Sequence, residues 1–447
     1  MNEEVREICY ILNFDTKLRA AHDFSSQMLP FYTRNPERVK YTNGFSPIIG
    51  VIARVVNGKG AELEPESLTS SQLALDTRVE QSVLDRLFSP TIYREMRSSK
   101  LLQYLPLSIG NERKGEIRLG QFLITLLQLS ENLNFVKRFS ESEPTNLYEK
   151  VVFDSLKTTE SQEKTTTQHF TFYDAAYYQQ LFQHDIENFT KDTSYFYDHI
   201  SELLKFYYFI YVSQTIVRIS NGQPTKTISP LYFSLENESV SRSRRSVRTG
   251  YNIVYQHGQD LLTDSDVLNY LNTLIPDKDH FYWKDQILQS NFVYQEPLLA
   301  NLRTFLPLLR KQIVDEVAAP NIAFEQMNLP VAVAYLRNLL VKRSNQSRET
   351  SSRYAKSFEA IAQQGFSRQH GRLGRTFSLS NHTVLMLTTA IVGNHKTPLN
   401  DVFKALEARG VFFDRITRDK VVDLFEQANV LEKLSDSGDA QYVRGIL

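Results

Sequence analysis

Apolar side chains recur at the spacing of one helix face along most of this chain of 447 residues. Between Ser71 and Phe88, three leucines and two valines fall close to one face, and the stretch from Ile117 to Leu133 has the same character. Two further stretches behave alike, one around Pro307 and one that Pro330 opens at its first turn. A period near 3.6 residues indicates amphipathic helices. The sequence therefore predicts a mainly α, multi-domain protein.

The segment from Phe170 to Tyr211 holds fifteen Tyr and Phe residues. Aromatic rings can form a platform on which single-stranded bases stack. The stronger interpretation is a helical core, because Phe182, Phe189 and Phe206 alternate with Asp, Glu and Lys at helical spacing. We therefore expect these rings to be buried.

Polar stretches suggest where the chain divides. Residues 157–168 contain no apolar side chain, and residues 344–353 are similarly polar. Such segments bury too little apolar surface to offset their ordering entropy, which is typical of loops and linkers. The predicted division is an N-terminal helical domain (1–156), an aromatic-rich helical middle domain (169–343), a basic Gly/Arg/Ser-rich connector (344–381) and a winged-helix-like module (382–447).

The last of these predictions rests on the order of elements after His382. A short apolar helix is followed by a second helix that ends near Gly410 and a third that Thr417 could cap. A β-hairpin with a polar tip, from Leu431 to Ile446, comes last. Three helices and a hairpin are typical of a winged helix, whose third helix usually enters the major groove of DNA. The module is nearly neutral, and many winged helices bind protein instead, so both partners stay open.

Sequence motifs for common chemistry are missing. The chain has no G-x-x-x-x-G-K-[ST] phosphate loop, no G-x-S-x-G elbow and no H-E-x-x-H, and it has one cysteine. The N-terminus lacks the pattern of a signal peptide, and the densest apolar run, Leu203 to Val212, is too short to span a membrane. We expect a cytoplasmic protein that is not an enzyme, holds no cofactor and has no membrane partner.

One enzymatic alternative stays open. Carboxylates cluster at Asp264 and Asp266 and again at Asp277 and Asp279. A metal-dependent nuclease needs only a few carboxylates and a lysine brought together in space. The preferred interpretation of Asp264 is the cap of a helix that starts near Val267.

The zero net charge conceals a segregated distribution. Residues 337–375 contain nine Lys and Arg against two acids, and residues 241–250 add four arginines and no acid. A surface that contacts nucleic acid requires such local positive charge. Glycines let a backbone approach phosphate, and guanidinium groups donate paired hydrogen bonds to its oxygens. The predicted DNA-binding residues are Arg242, Arg244, Arg245, Arg248, Arg368, His370, Arg372, Arg375, Arg415, Arg418 and Lys420.

Three segments of the last third carry a resemblance: Gly371 to Ser380, Arg409 to Asp414, and Leu431 to Val443. Together they resemble the DptG (DndG) family of DNA phosphorothioation-dependent restriction proteins. The resemblance covers roughly residues 330–447. It implies a role in bacterial defence against DNA that lacks the sulfur modification, together with DptF-like and DptH-like partners that supply ATPase activity.

The sequence thus predicts a non-catalytic subunit that binds and bridges DNA in a restriction complex. The arginines of residues 365–375 and the third C-terminal helix would hold the phosphate backbone, and the N-terminal helical body would dock the ATPase partners. A cryptic metal-dependent nuclease and a scaffold that only bridges proteins are the alternatives.

Overall fold

The computed structural model describes residues 10–12, 14–15, 17–20, 25–31, 37–58, 60–61, 102–103, 105–140, 169–221, 228–313, 323–343, 352–433 and 441–445. The described chain is mainly helical, as the apolar periodicity predicts. Within it, no helix is both long and apolar enough to cross a membrane. The predicted helix from Ser71 to Phe88, the polar stretch 157–168 and residues 344–351 lie outside the described residues.

The α-helices, numbered in chain order, are α1 (Ser25–Met28), α2 (Ser46–Val56), α3 (Glu112–Leu127), α4 (Leu133–Ser140), α5 (Ala175–Phe189), α6 (Thr193–Asn221), α7 (Arg245–Leu274), α8 (Lys284–Ile287), α9 (Gln295–Ile313), α10 (Leu329–Arg343), α11 (Arg353–Ala362), α12 (Asn381–Val392), α13 (Leu399–Ala408) and α14 (Arg415–Gln427). The strands are β1 (Leu231–Leu235), β2 (Ser367–Gln369), β3 (Arg375–Leu379), β4 (Thr397–Pro398), β5 (Val411–Phe413), β6 (Leu431–Lys433) and β7 (Gln441–Val443).

The chain divides into two compact units. Unit 1 comprises Met1–Leu29, Val212–Ser229 and Ile253–Phe358, and unit 2 comprises Pro30–Tyr211, Pro230–Asn252 and Glu359–Leu447. Each unit is assembled from three separate stretches, whereas the predicted domain ranges 1–156, 169–343, 344–381 and 382–447 are consecutive.

The core of unit 1 lies among α7, α9 and α10. Val267, Leu302 and Leu336, one from each helix, are fully buried. Phe305 stacks on Phe14 with 4.4 Å between ring centroids. Burying one such side chain contributes about 1.5–3 kcal/mol. The predicted helix at Pro330 forms as α10, with the proline in its first turn, where no intrahelical hydrogen bond is lost.

Unit 2 contains a four-stranded sheet in the order β2-β3-β1-β5. Strand β1 runs parallel to both β3 and β5, while β2 pairs antiparallel with β3. Helix α12 follows β3 after Ser380, and α14 follows β5 after Asp414. Because the carboxyl ends of parallel strands share one edge, the first turns of both helices lie at that edge of the sheet.

The aromatic segment of unit 2 is a core, as the sequence predicts. Phe182, Phe189 and Phe206 are at most 1% exposed. Phe209 stacks on Phe366 at 4.3 Å and meets the edge of Phe377 at 5.6 Å. The rings therefore pack against one another and against the sheet.

The end of the chain forms α12, α13 and α14 with a three-stranded antiparallel sheet in the order β4-β7-β6. The predicted cap of α14 is wrong: Asp414, not Thr417, is the N-cap residue, and its carboxylate accepts a hydrogen bond from the amide N of Thr417 at 3.0 Å. Asp and Thr are both favoured N-cap residues, so the sequence alone did not distinguish Asp414 from Thr417 as the cap.

Candidate nucleic-acid interface

The predicted DNA-binding residues lie on three segments of unit 2. These are the start of α7 with the residues before it, the hairpin of β2 and β3, and the first turns of α14. In sequence they are far apart. One buried arginine, Arg244, connects the first of these segments to the third.

Arg244 joins the start of α7 to the start of α14. Its guanidinium is buried and donates to both carboxylate oxygens of Asp414, at 2.8 and 2.6 Å, and to Oγ1 of Thr417 at 2.6 Å. It also forms an ion pair with Glu238. Burial alone would raise the pKa of Asp414, but the hydrogen bonds from Arg244 hold that pKa below its usual value. Arg244 is buried and four of its five N–H donors have protein partners, so it serves the fold.

The hairpin of β2 and β3 presents two exposed arginines, Arg368 and Arg372. Its turn closes through the amide of His370, which donates to the carbonyl of Gly374 at 2.9 Å. Gly371 and Gly374 have φ values of 52° and 82°, a left-handed region that glycine adopts without strain. The predicted glycine-rich loop is thus an ordered turn that holds Arg372 in solvent.

His370 lies in the turn of this hairpin, and positive charges on two segments affect its pKa. Its pKa is lowered by burial and then by the positive charges of Arg368 and Arg244, while Glu238 opposes the shift.

Some of the predicted DNA-binding cations already have partners within the protein. Arg375 donates to Oγ of Ser367 at 3.2 Å, and its guanidinium lies 5.9 Å from the ring centroid of Tyr251. Arg418 forms an ion pair with Glu407, and Lys420 forms one with Asp423 at 3.1 Å. Arg248 donates to the carbonyl of Arg242 at 2.7 Å.

The remaining arginines are exposed, and their guanidinium groups contact no partner in the described part of the chain. We call them the arginine surface: Arg242, Arg245, Arg368, Arg372 and Arg415. A guanidinium without a carboxylate keeps its donors available to an external anion. Asp414 and Glu238, which pair with Arg244, were not found from the sequence, since their roles depend on contacts between distant segments.

The predicted nuclease carboxylates are not assembled into a site. The predicted cap at Asp264 is wrong, because α7 runs unbroken through this residue. Asp264 is instead buried and accepts from Nε of Arg337 at 2.6 Å. It lies about 15 Å before the end of α7 at a rise of about 1.5 Å per residue, and Asp277 lies beyond that end.

Asp277 is occupied within its own turn. Its carboxylate accepts from the hydroxyl of Tyr282 at 2.6 Å, the amide of Asp279 at 2.9 Å and Nδ1 of His280 at 2.9 Å. The hydrogen bond from Tyr282, followed by the amide of Asp279, lowers the pKa of Asp277 to about 2. Among the described residues, no three His, Cys, Asp or Glu side chains are grouped so that they could hold a metal ion.

No protein-family model matches the chain, and no curated protein is significantly similar to it.

Proposed function

We propose that this chain is a non-catalytic subunit that binds the phosphate backbone of DNA through the arginine surface. The observation that carries the proposal is a set of five exposed guanidinium groups in unit 2 with no protein partner among the described residues. Arg244 joins two of the contributing segments, the start of α7 and the start of α14. Guanidinium groups donate paired hydrogen bonds to phosphate oxygens, and these contacts position a protein on a duplex without reading its sequence.

We further propose that residues 382–447 act as a winged helix. In support, α12, α13 and α14 are followed by a hairpin, and β4 completes a small antiparallel sheet with it. In this proposal α14 takes the place of the recognition helix. Its first turn carries Arg415 and the positive end of the helix dipole, which favour phosphate.

The rest of α14 limits how it meets DNA. Its exposed face continues with Asp419, Asp423 and Glu426. Carboxylates repel the DNA backbone, so we propose that only the first turn lies against phosphate. The acidic part of α14 favours the second candidate, a scaffold in which this helix binds a protein.

The family proposal follows from the resemblance to DptG proteins. Segments that carry the resemblance include the β2–β3 turn with β3, and the approach to β5 with Asp414. Of the arginine surface, Arg372 lies in the first of these segments and Arg415 directly follows the second. We propose that the subunit delivers DNA lacking the sulfur modification to DptF-like and DptH-like partners, which supply ATP hydrolysis.

Fluorescence anisotropy with a labelled duplex over a salt series tests the DNA-binding proposal. Neutralising one phosphate gives a slope of about 0.9 in log K against log salt. The triple variant Arg368→Ala/Arg372→Ala/Arg415→Ala should reduce that slope by about 2 to 3 units. The charge-matched control Lys342→Ala/Lys396→Ala/Lys404→Ala removes three exposed cations elsewhere and should keep the slope.

Equal slopes in the two triple variants would remove the arginine surface from the DNA contact. An absence of duplex binding at every salt concentration would favour the protein scaffold. In cells that carry both ATPase partners, the arginine variant should lose restriction of unmodified DNA while the control retains it.

A further inference from the structure

A cavity of about 170 Å³ lies at the carboxyl edge of the parallel strands in unit 2. Its walls come from the turn after β1, the first turn of α12 and the middle of α14. In sheets with parallel strands, ligands commonly bind at this edge, where loops and helix starts converge. The polar side chains that line it are Asn237, Glu238, Asn381, Lys420, Asp423 and Gln427.

The charges in this cavity are balanced internally. Glu238 pairs with Arg244 and accepts from Oγ1 of Thr417 at 3.0 Å and from the amide of Leu235 at 3.1 Å. Lys420 pairs with Asp423 at 3.1 Å. An isolated anion or cation would meet no uncompensated opposite charge, so the cavity suits a neutral polar group.

Three carboxamides provide the hydrogen-bonding capacity of the cavity. Asn237, Asn381 and Gln427 line it, and their side chains make no hydrogen bond to another described residue. Each carboxamide presents an acceptor oxygen beside a donor NH₂ group. A flat ligand edge that alternates donors and acceptors is the complement of this arrangement, and nucleobases have such edges.

We propose that this cavity binds a nucleobase through its hydrogen-bonding edge. Adenine is the preferred base, since Asn and Gln side chains pair with its N6 and N7 atoms in two hydrogen bonds. The volume of about 170 Å³ admits one base and is smaller than the pockets of about 300 Å³ or more that hold drug-sized ligands. The base belongs either to a DNA strand or to a free nucleotide. The first of these two sources rests on the proposed function.

Isothermal titration of the full chain with dAMP, dCMP, dGMP, dTMP and 2-deoxyribose 5-phosphate tests the proposal. We expect dAMP to bind most tightly and the sugar phosphate, which has no base, not to bind. Asn381→Asp replaces an NH₂ donor without changing side-chain size, and Gln427→Ala removes one carboxamide. Each should weaken dAMP about tenfold or more, the effect of one lost bidentate contact. Asn338→Ala, an exposed carboxamide on α10, should leave binding unchanged.

Equal binding of all four nucleotides and the sugar phosphate would overturn the proposal, as would an absence of binding to any of them and to oligo(dA). Tighter binding of oligo(dA), still dependent on Gln427, identifies a DNA base as the occupant. Binding of dAMP without oligo(dA) identifies a free nucleotide. The triple variant of the arginine surface separates the two proposals, because it should weaken duplex binding and leave dAMP affinity intact.

Discussion

Arg409 and Arg415 flank the same short strand, β5, yet they have opposite environments. Arg409 is buried and donates to the carboxylate of Asp185, from Nε at 2.9 Å and from Nη2, while Tyr207 donates to the same carboxylate at 2.7 Å. Arg415 is exposed and meets no partner among the described residues. A distant segment supplies Arg409 with a carboxylate, whereas Arg415 keeps its donors available to a ligand.

A third arginine of unit 2 shows the effect of burial on a guanidinium that has no carboxylate partner. Arg54 is fully buried, but it donates to the carbonyls of Ala61, Gln103 and Leu105 instead of a carboxylate. Burial, assisted by the positive charge of Arg113, lowers the pKa of Arg54 to about 10. Burial also opposes the charge of Arg409, but Asp185 reverses the effect and raises the pKa of that arginine. The carboxylate, not the enclosure, stabilises the cation.

The largest expected effect on stability comes from breaking the buried ion pair of Asp185 and Arg409. Asp185→Ala leaves Arg409 buried without its counter-charge and should lower the free energy of unfolding by about 3–5 kcal/mol. Denaturant unfolding measures this change. The control Asp423→Ala breaks an exposed pair and should cost at most about 1 kcal/mol. Similar losses in the two variants would contradict the comparison.

Arg244 combines the two environments, because it is buried and paired but directly precedes the exposed Arg245. Arg244→Ala leaves Asp414 and Glu238 without their guanidinium and should lower the free energy of unfolding by about 2–3 kcal/mol. Because Asp414 caps α14, the variant should also weaken duplex binding although Arg244 does not itself face DNA. Unfolding and anisotropy measurements on one preparation test both effects. Weaker DNA binding with unchanged stability would show that Arg244 contacts DNA directly.

The exposed arginines should show the reverse behaviour. Arg372→Ala should change the free energy of unfolding by less than about 0.5 kcal/mol, since its side chain has no described partner. In a salt series the same variant should reduce the slope of log K against log salt by about 0.9 units. A clear loss of stability would place Arg372 with the structural arginines.

The smallest effect concerns the charge of His370. Burial, followed by Arg368, lowers its pKa, so at neutral pH the ring is mostly uncharged. Bound phosphates favour the protonated ring and should raise this pKa, and duplex affinity should therefore increase as the pH falls through it. Proton NMR of the His370 ring, with and without duplex, measures the shift. An unchanged pKa would place the hairpin away from the DNA.

Local patterns predicted the parts of the molecule that depend on neighbouring residues. The helices around Pro330 and after His382, and the buried rings of Phe182 and Phe206, follow from spacing and composition. The arginine-rich segment before α7 was equally visible, but its division into buried Arg244 and exposed Arg245 was not.

That division depends on contacts that no local pattern contains. Asp414, the partner of Arg244, lies 170 positions later in the chain. The cap predicted at Asp264 failed for the same reason, since Arg337 satisfies that carboxylate from another helix. Likewise, the three carboxamides of the cavity come from three elements, and nothing in the sequence brings them together.

The central place of β1 in its sheet has a consequence for synthesis of the protein. Its neighbours, β3 and β5, leave the ribosome long after it does, and Ser234 bonds to a carbonyl 143 positions later. Until then both edges of this apolar strand lack their native partners, and an unpaired edge is a template for aggregation. A chain that stops before β5 therefore loses more than its last helix. In such a chain one edge of β1 stays unpaired. The need for chaperones should be highest between the synthesis of β1 and that of β5.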